Sequence, residues 1–340
     1  VIRAAVLAVV IVGAACAADP APPDDTLAPP ADGEGFQLDE GDFVADAGQE
    51  GLYCMRLPIP AEPYGDGALF VTGIESRLPV GTHHFFMAYR SEPAIDVAEP
   101  CFDSGAFVSV DEADQHDGGG GKMIFLSGEG AYAYQMPPGY AMYLATGAGQ
   151  MVTSHHVLNS ADEPRDMYGV FNVYTAPLAS ITHPVNTLNC LLRDIWVAPR
   201  STATVSATCT APFDLDMVVL SSHAHQHLER FEMRVFDGAQ TVGDPIYVST
   251  DWDSPEIVTL DTPLHLGVGQ GLTFSCTFRN TGDEWIVFGT GDYGEMCAIM
   301  SGYAYPPDRP GEVPPSLGTI IYRDGHGAPL VETTDLDGPF

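Results

Sequence analysis

The sequence predicts an all-β chain folded as two tandem antiparallel β-sandwich domains, and three observations carry that prediction. Turn formers are dense, with 36 glycines and 28 prolines in 340 residues. Between them lie short stretches rich in β-branched and aromatic residues, such as Ala68-Leu69-Phe70-Val71-Thr72, Tyr168 to Tyr174 and Phe231 to Phe236. Such stretches suit a pleated, half-buried surface, and their spacing is that of sandwiches. The third observation is length: single cores stop growing well short of 340 residues, so the chain holds about two of them. No long amphipathic helix is legible.

Composition bounds the function. At 45% hydrophobic and 17% charged residues the chain is too apolar to stay disordered. Thirteen Lys and Arg against 46 Asp and Glu give a net charge of −33. A surface that acidic repels phosphate backbones and anionic headgroups, which excludes nucleic acid as a partner. Metal ions, amines and neutral molecules remain.

Along the chain, residues 1–18 read as an export signal: Arg3, an apolar stretch from Ala4 to Val12, then Gly13-Ala14-Ala15 before Cys16. The apolar stretch is too short to span a bilayer. Two readings of its end stand. Gly-Ala-Ala-Cys resembles a bacterial lipobox, with Cys16 lipidated and the membrane reached only through that anchor. Alternatively, because Gly13 stands where a Leu is usual, the signal is simply cleaved near Ala17 or Ala18. The destination is the periplasm, the outer membrane as a lipoprotein, or the cell surface of a bacterium. Residues 19–35, rich in Pro, Asp and Ala, read as a flexible tether. The first domain is expected over 36–180, the second over 181–323 and a tail over 324–340, with a linker in Ala176 to Asn189, which contains two prolines and little periodicity. Asp111 to Gly121, with its run of four glycines, reads as a mobile loop and His116 within it as a solvated residue.

Setting Cys16 aside leaves Cys54, Cys101, Cys190, Cys209, Cys276 and Cys297. An even count in an exported chain predicts three disulfides, and the absence of close Cys-x-x-Cys spacing excludes zinc and redox motifs.

The histidines carry the chemistry, because three short strings hold most of the eleven. The first is Thr82-His83-His84-Phe85. Neighbours on a regular strand point to opposite faces, so one ion takes both imidazoles only where the strand ends or bulges. The second is His155-His156-Val157-Leu158-Asn159, where one of the pair should face the interior. The third, Ser222-His223-Ala224-His225-Gln226-His227, places His223, His225 and His227 on one strand face by period-two alternation. Side chains at i and i+2 can chelate one ion, and a solvent-facing histidine stripe is the competing reading.

The order of these strings, followed by Asp292-Tyr293-Gly294-Glu295-Met296-Cys297, resembles the copper type II, ascorbate-dependent monooxygenases, the family of the peptidylglycine α-hydroxylating and dopamine β-monooxygenases. The resemblance runs from about Leu52 to Pro306. It implies two jelly-roll-like sandwiches and two copper ions per chain. One ion is expected on His83, His84 and His156, the other, catalytic one on His223, His225 and Met296. His156 is chosen because the family's third ligand stands in His-Tyr-x-Asn and Asn159 keeps that spacing; Val157 replaces the Tyr, so His155 stays open. His225 and His227 are the other way to draw the chelating pair. The family's Arg-Phe, here Arg230-Phe231, falls at the right distance only if His223 and His225 lead, which leaves His227 without a role. The resemblance also implies the disulfides Cys54–Cys101 and Cys276–Cys297; Cys190 and Cys209 are then left to each other, a departure from the family's usual pairing.

The implied activity is hydroxylation of a substrate C–H bond with dioxygen and an external reductant such as ascorbate. The alternative is an exported copper-binding protein without turnover; a surface adhesion sandwich with incidental histidines is a third. Imidazole plus thioether is a soft, neutral set that suits both oxidation states of copper. The peptide-amidating relatives hold a substrate carboxylate with an Arg, an Asn and a Tyr, where this chain has Ser221, Ala298 and Met300. Arg230 stands at odd parity from His223 and should point to the other face. The expected substrate is therefore a small neutral or cationic molecule.

Overall fold

The computed structural model of the protein describes residues 27–60, 68–90, 95–102, 105–109, 122–144, 149–289, 293–317, 319–322 and 330–334. The export signal with Cys16, His116 with its loop, and most of the tail lie outside them. The described residues form an all-β molecule; their only helical element is a single 3-10 turn, Leu178–Ser180.

Two hydrophobic cores account for the two sandwiches. One gathers residues from Phe36 to Val185, including Leu57, Ile74, Phe85, Met87, Met151 and Phe171. The other gathers residues from Leu188 to Tyr322, including Leu215, Phe231, Phe274, Phe278 and Ile299. In the first half, the strands Glu50–Pro58, Gln150–Leu158, Thr82–Arg90 and Lys122–Ser127 lie side by side in one sheet. In the second, Ser201–Thr210, Gly271–Asn280, Leu228–Phe236 and Thr241–Ser249 do the same. Alternating burial along Thr82–Arg90 and Gly271–Asn280 is the period-two signature of a sheet with one face on the core.

The remaining large sheet serves both halves. Its strands run in the order Gly35–Asp39, Val170–Thr175, Leu69–Leu78, Tyr140–Leu144, His183–Leu192, Cys297–Ala304, Leu215–Leu220, Val258–Leu266. His183–Leu192 is the hinge of that order: it pairs parallel with Tyr140–Met142 on one side and antiparallel with Cys297–Ala304 on the other. The core of the first half accordingly includes Val218, Val219 and Ala304 from the second.

The expected linker is corrected by this strand. Only residues 176–182 connect, and His183 onward is sheet. The segment looked aperiodic because Pro184 to Leu192 are all buried, including Asn186, Thr187 and Asn189, so the polar/apolar alternation of a one-sided strand is missing. The expected tether is shortened too. The carbonyls of Leu27 and Ala28 accept hydrogen bonds from Gln37 and Asn172, and Gly35 already belongs to a strand. Within the expected tail, Leu330–Thr334 pairs with Thr319–Tyr322.

Three disulfides join Cys54 to Cys101, Cys190 to Cys209 and Cys276 to Cys297. The last two link strands of the large sheet to the facing sheet of the second sandwich, with Cys276 and Cys297 fully buried.

Candidate metal centre

The first histidine string sits at a backbone irregularity. Ser154, His155 and His156 pair with Phe86, Phe85 and His84, but the next residue, Val157, pairs with Thr82. His83 is the extra residue of a β-bulge. A bulge sets two consecutive residues against one partner, which lets both imidazoles turn toward His156.

The three rings converge. His156 Nδ1 lies 3.3 Å from His83 Nδ1 and 3.2 Å from His84 Nε2. One ligand atom from each of the three residues falls within 4.8 Å of the other two. Imidazole nitrogens about 2.0 Å from one ion in tetrahedral array stand about 3.3 Å apart, so the residues present fit a metal. His156 Nε2 lies 2.9 Å from Glu50 Oε1, where an N–H donates to the carboxylate and leaves Nδ1 as a bare lone pair. That lone pair cannot donate to either neighbouring ring. Burial and the adjacent His156 push His83 down to about 4 and His84 well below its ordinary range, so both rings are neutral near pH 7.

His155 is excluded as the third ligand. It is wholly buried on the opposite face of its strand, with Nδ1 2.6 Å from Glu40 Oε1 and Nε2 2.8 Å from Thr82 Oγ1. Both nitrogens are engaged in packing the first sandwich.

The second string lies on a ladder with the strand that follows Met296. Val219 pairs with Gly302, Ser222 with Ile299, His223 with Ala298 and Ala224 with Cys297, in one register. The ladder ends there, one residue before His225 on one strand and one residue after Met296 on the other, and Met296 is partly exposed between Gly294–Glu295 and Cys297–Ala304. The rings of His223 and His225 lie 5.0 Å apart. Burial, then His225, pushes His223 well below its ordinary range.

The two sites abut. His84 lies 5.9 Å from His223 and 5.8 Å from His225 between ring centroids, and Phe86 packs at 5.3 Å against His223. Trp252, from the second half, stands edge-on to His83 at 4.8 Å. Five imidazoles from both halves thus form one continuous cluster.

Glu295 was not legible as a site residue, yet it organises the turn. Wholly buried, it accepts hydrogen bonds from the amides of His225 at 2.9 Å and His227 at 2.7 Å. His227 Nδ1 lies 3.1 Å from the same carboxylate. The strand ends at Ala224, so the expected shared face does not extend to His227, which turns to Glu295 and stacks near Tyr293. The rings of the third string that meet the first triad are those of His223 and His225. His225 Nδ1, 3.1 Å from the Gly294 carbonyl, donates to it and leaves Nε2 free for an ion. The sequence signal for Glu295 was its place beside Met296; Glu50 and Trp252 had none, since strand pairing and a distant loop bring them in.

No protein-family model matches the chain, and no curated protein matches it. Among solved structures, the major capsid protein P2 of bacteriophage PM2 is similar over 78% of this chain and 97% of its own, at 7% identity and a TM-score of 0.29. PBCV-1 VP54, fitted into a reconstruction of the virophage Sputnik, is similar over 78% and 93%, at 7% identity and 0.27. PNGF-II is similar over 75% and 60%, at 7% identity and 0.27. Likenesses this slight say nothing about activity.

Proposed function

We propose that this chain is a copper-dependent monooxygenase that hydroxylates a substrate C–H bond with dioxygen and an external reductant such as ascorbate. The observation that carries the reading is the convergence of the His83, His84 and His156 imidazoles, with His156 Nδ1 3.3 and 3.2 Å from nitrogens of the other two and two further imidazoles packed against them. On this reading His83, His84 and His156 hold one copper ion and His223, His225 and Met296 the other. Copper, when bound, supplies one-electron chemistry and the activation of dioxygen. The chain's own residues do the rest. Glu50 and the Gly294 carbonyl fix the tautomers of His156 and His225, Glu295 holds the turn, and the Cys276–Cys297 bridge anchors the strand after Met296. Burial of His223 and His225 keeps water from their imidazoles.

Three disulfides fit an oxidising, extracellular-type environment. Bacterial export, to the periplasm, the outer membrane through a lipid anchor on Cys16, or the cell surface, belongs to the same proposal, as does a small neutral or cationic substrate.

Metal analysis and an oxygen electrode test it. Two copper ions per chain and ascorbate-dependent oxygen uptake are expected. Copper without uptake marks an exported copper-binding protein instead, and a purified chain that takes up no copper ends the reading. Met296→Ala should retain copper on His223 and His225 but abolish uptake, because the thioether favours the reduced ion; unchanged uptake removes Met296 from the site.

A further inference from the structure

A cavity between the two halves lies on the same sheet face as His223. Side chains two apart on a strand share a face. The pairs Val219/Gly302, Ser221/Met300 and His223/Ala298 are therefore successive rows of one ladder, the middle row held by the Met300 amide donating to the Ser221 carbonyl at 3.0 Å. The first two rows line a cavity of about 50 Å³, and the third is the candidate metal ligand. Ala298 sets only a methyl group beside the His223 imidazole. On the facing sheet, Leu126 lines the cavity and pairs with Phe86, whose ring packs on His223.

The chemistry of the wall is specific. Met123, Met136, Met142 and Met300 contribute to it, and among the described residues lining it there is no Asp, Glu, Lys, Arg or His. Arg230, the candidate substitute cation, pairs with Glu232 at 2.5 Å on the surface and takes no part. A carboxylate or an ammonium ion entering here would be desolvated without a counter-charge, a heavy penalty. Two hydroxyls are on offer: Thr187 and Ser221 both line the cavity and are buried, and neither Thr187 Oγ1 nor Ser221 Oγ has a hydrogen-bond partner. Buried hydroxyls are normally paired, so an unpaired one facing a cavity is a position for a ligand atom. The volume admits a few heavy atoms, and unbranched methionines widen it by changing rotamer.

We propose that this cavity is the substrate pocket of the His223 centre and takes a small, neutral, mostly apolar molecule whose single hydroxyl or carbonyl oxygen is held by the unpaired hydroxyls of Thr187 and Ser221. The proposal rests on the monooxygenase reading and narrows its substrate from neutral or cationic to neutral.

Methionine-methyl NMR on the copper-free protein tests the pocket apart from the chemistry, with butan-2-one, butyrate and butylammonium as probes of matched size. Butan-2-one should shift the methyls of Met142 and Met300, and the two ions should leave them in place. Thr187→Val should weaken binding of the ketone about five- to tenfold and Thr187→Ser should restore it. Equal shifts from either ion, no shift from the ketone, or a Thr187→Val protein with unchanged methyl spectrum and unchanged affinity overturns the proposal. Oxygen uptake by the copper-loaded protein separates the two failures. Methyl shifts without ascorbate-dependent uptake leave the pocket standing and remove the oxygenase; uptake with butan-2-one but no methyl shift does the reverse.

Discussion

Glu50 does for His156 what the Gly294 carbonyl does for His225: it holds one ring nitrogen as a donor so that the other presents a lone pair. Partners of this kind set ligand basicity and orientation, and their loss typically costs 10–100-fold in metal affinity. Glu50→Ala should therefore weaken copper binding by roughly that factor in a chelator competition while leaving the fold intact, since Glu50 is partly exposed at the sheet end. An unchanged affinity would make the contact incidental. The low values of His83, His84 and His223 also set a pH dependence. Between the ordinary histidine range near 6.5 and about 4, the unfolded chain takes up protons that the folded one refuses. The His83 contribution to stability is complete above about 6.5 and is lost as the pH falls toward 4, and those of His84 and His223 are lost on the same acid side. The urea midpoint of the metal-free protein should drop between pH 7.5 and pH 5, and His83→Gln should flatten the drop. The candidate ligand histidines were legible in the sequence because they cluster in strings. Glu50 was not, because nothing local marks a carboxylate that acts across a strand pair 106 residues away.

The elements explain why the strings work. A regular strand would aim His83 and His84 apart, and the sequence could say only that a bulge was required; its position, between the His84 and Thr82 pairings, is a property of the register with Gln150–Leu158. The same register separates His155 from His156, which spacing to Asn159 favoured but could not decide. Asn159 itself is buried and binds the carbonyls of Ala45, Asp46 and Glu163, so its fixed spacing reflects a packed turn beside the site. The stretch around Trp252 lies outside any strand and reaches across to His83. Of the three tryptophans, Trp196 and Trp285 are exposed. A Trp196→Phe/Trp285→Phe protein should thus emit from Trp252 alone, and copper(II) should quench most of that emission at one equivalent. His83→Ala should abolish the quenching at the same copper level; quenching that persists would place the ion elsewhere.

At the scale of the molecule, composition and turn density gave the fold class, and length gave two cores, but the sheet that serves both was hidden. Its central strand, His183–Leu192, is buried along nearly its whole length and so shows no alternation to read. Because it pairs with strands of both halves and carries Cys190 to the facing sheet, the halves should unfold together. Calorimetry of the metal-free protein should show one transition with equal calorimetric and van't Hoff enthalpies; two resolved transitions would mean the shared sheet couples them weakly.

That strand also bears on modularity. A pair of sandwiches invites the idea of modules that can be duplicated, shuffled or expressed separately by cutting at the connecting turn. Here a cut at residue 182 would strip the Tyr140–Leu144 edge of its neighbour and bare the face that Val218, Val219 and Ala304 cover. The folding unit is the whole pair, and either half alone would have to seal that edge to stand by itself.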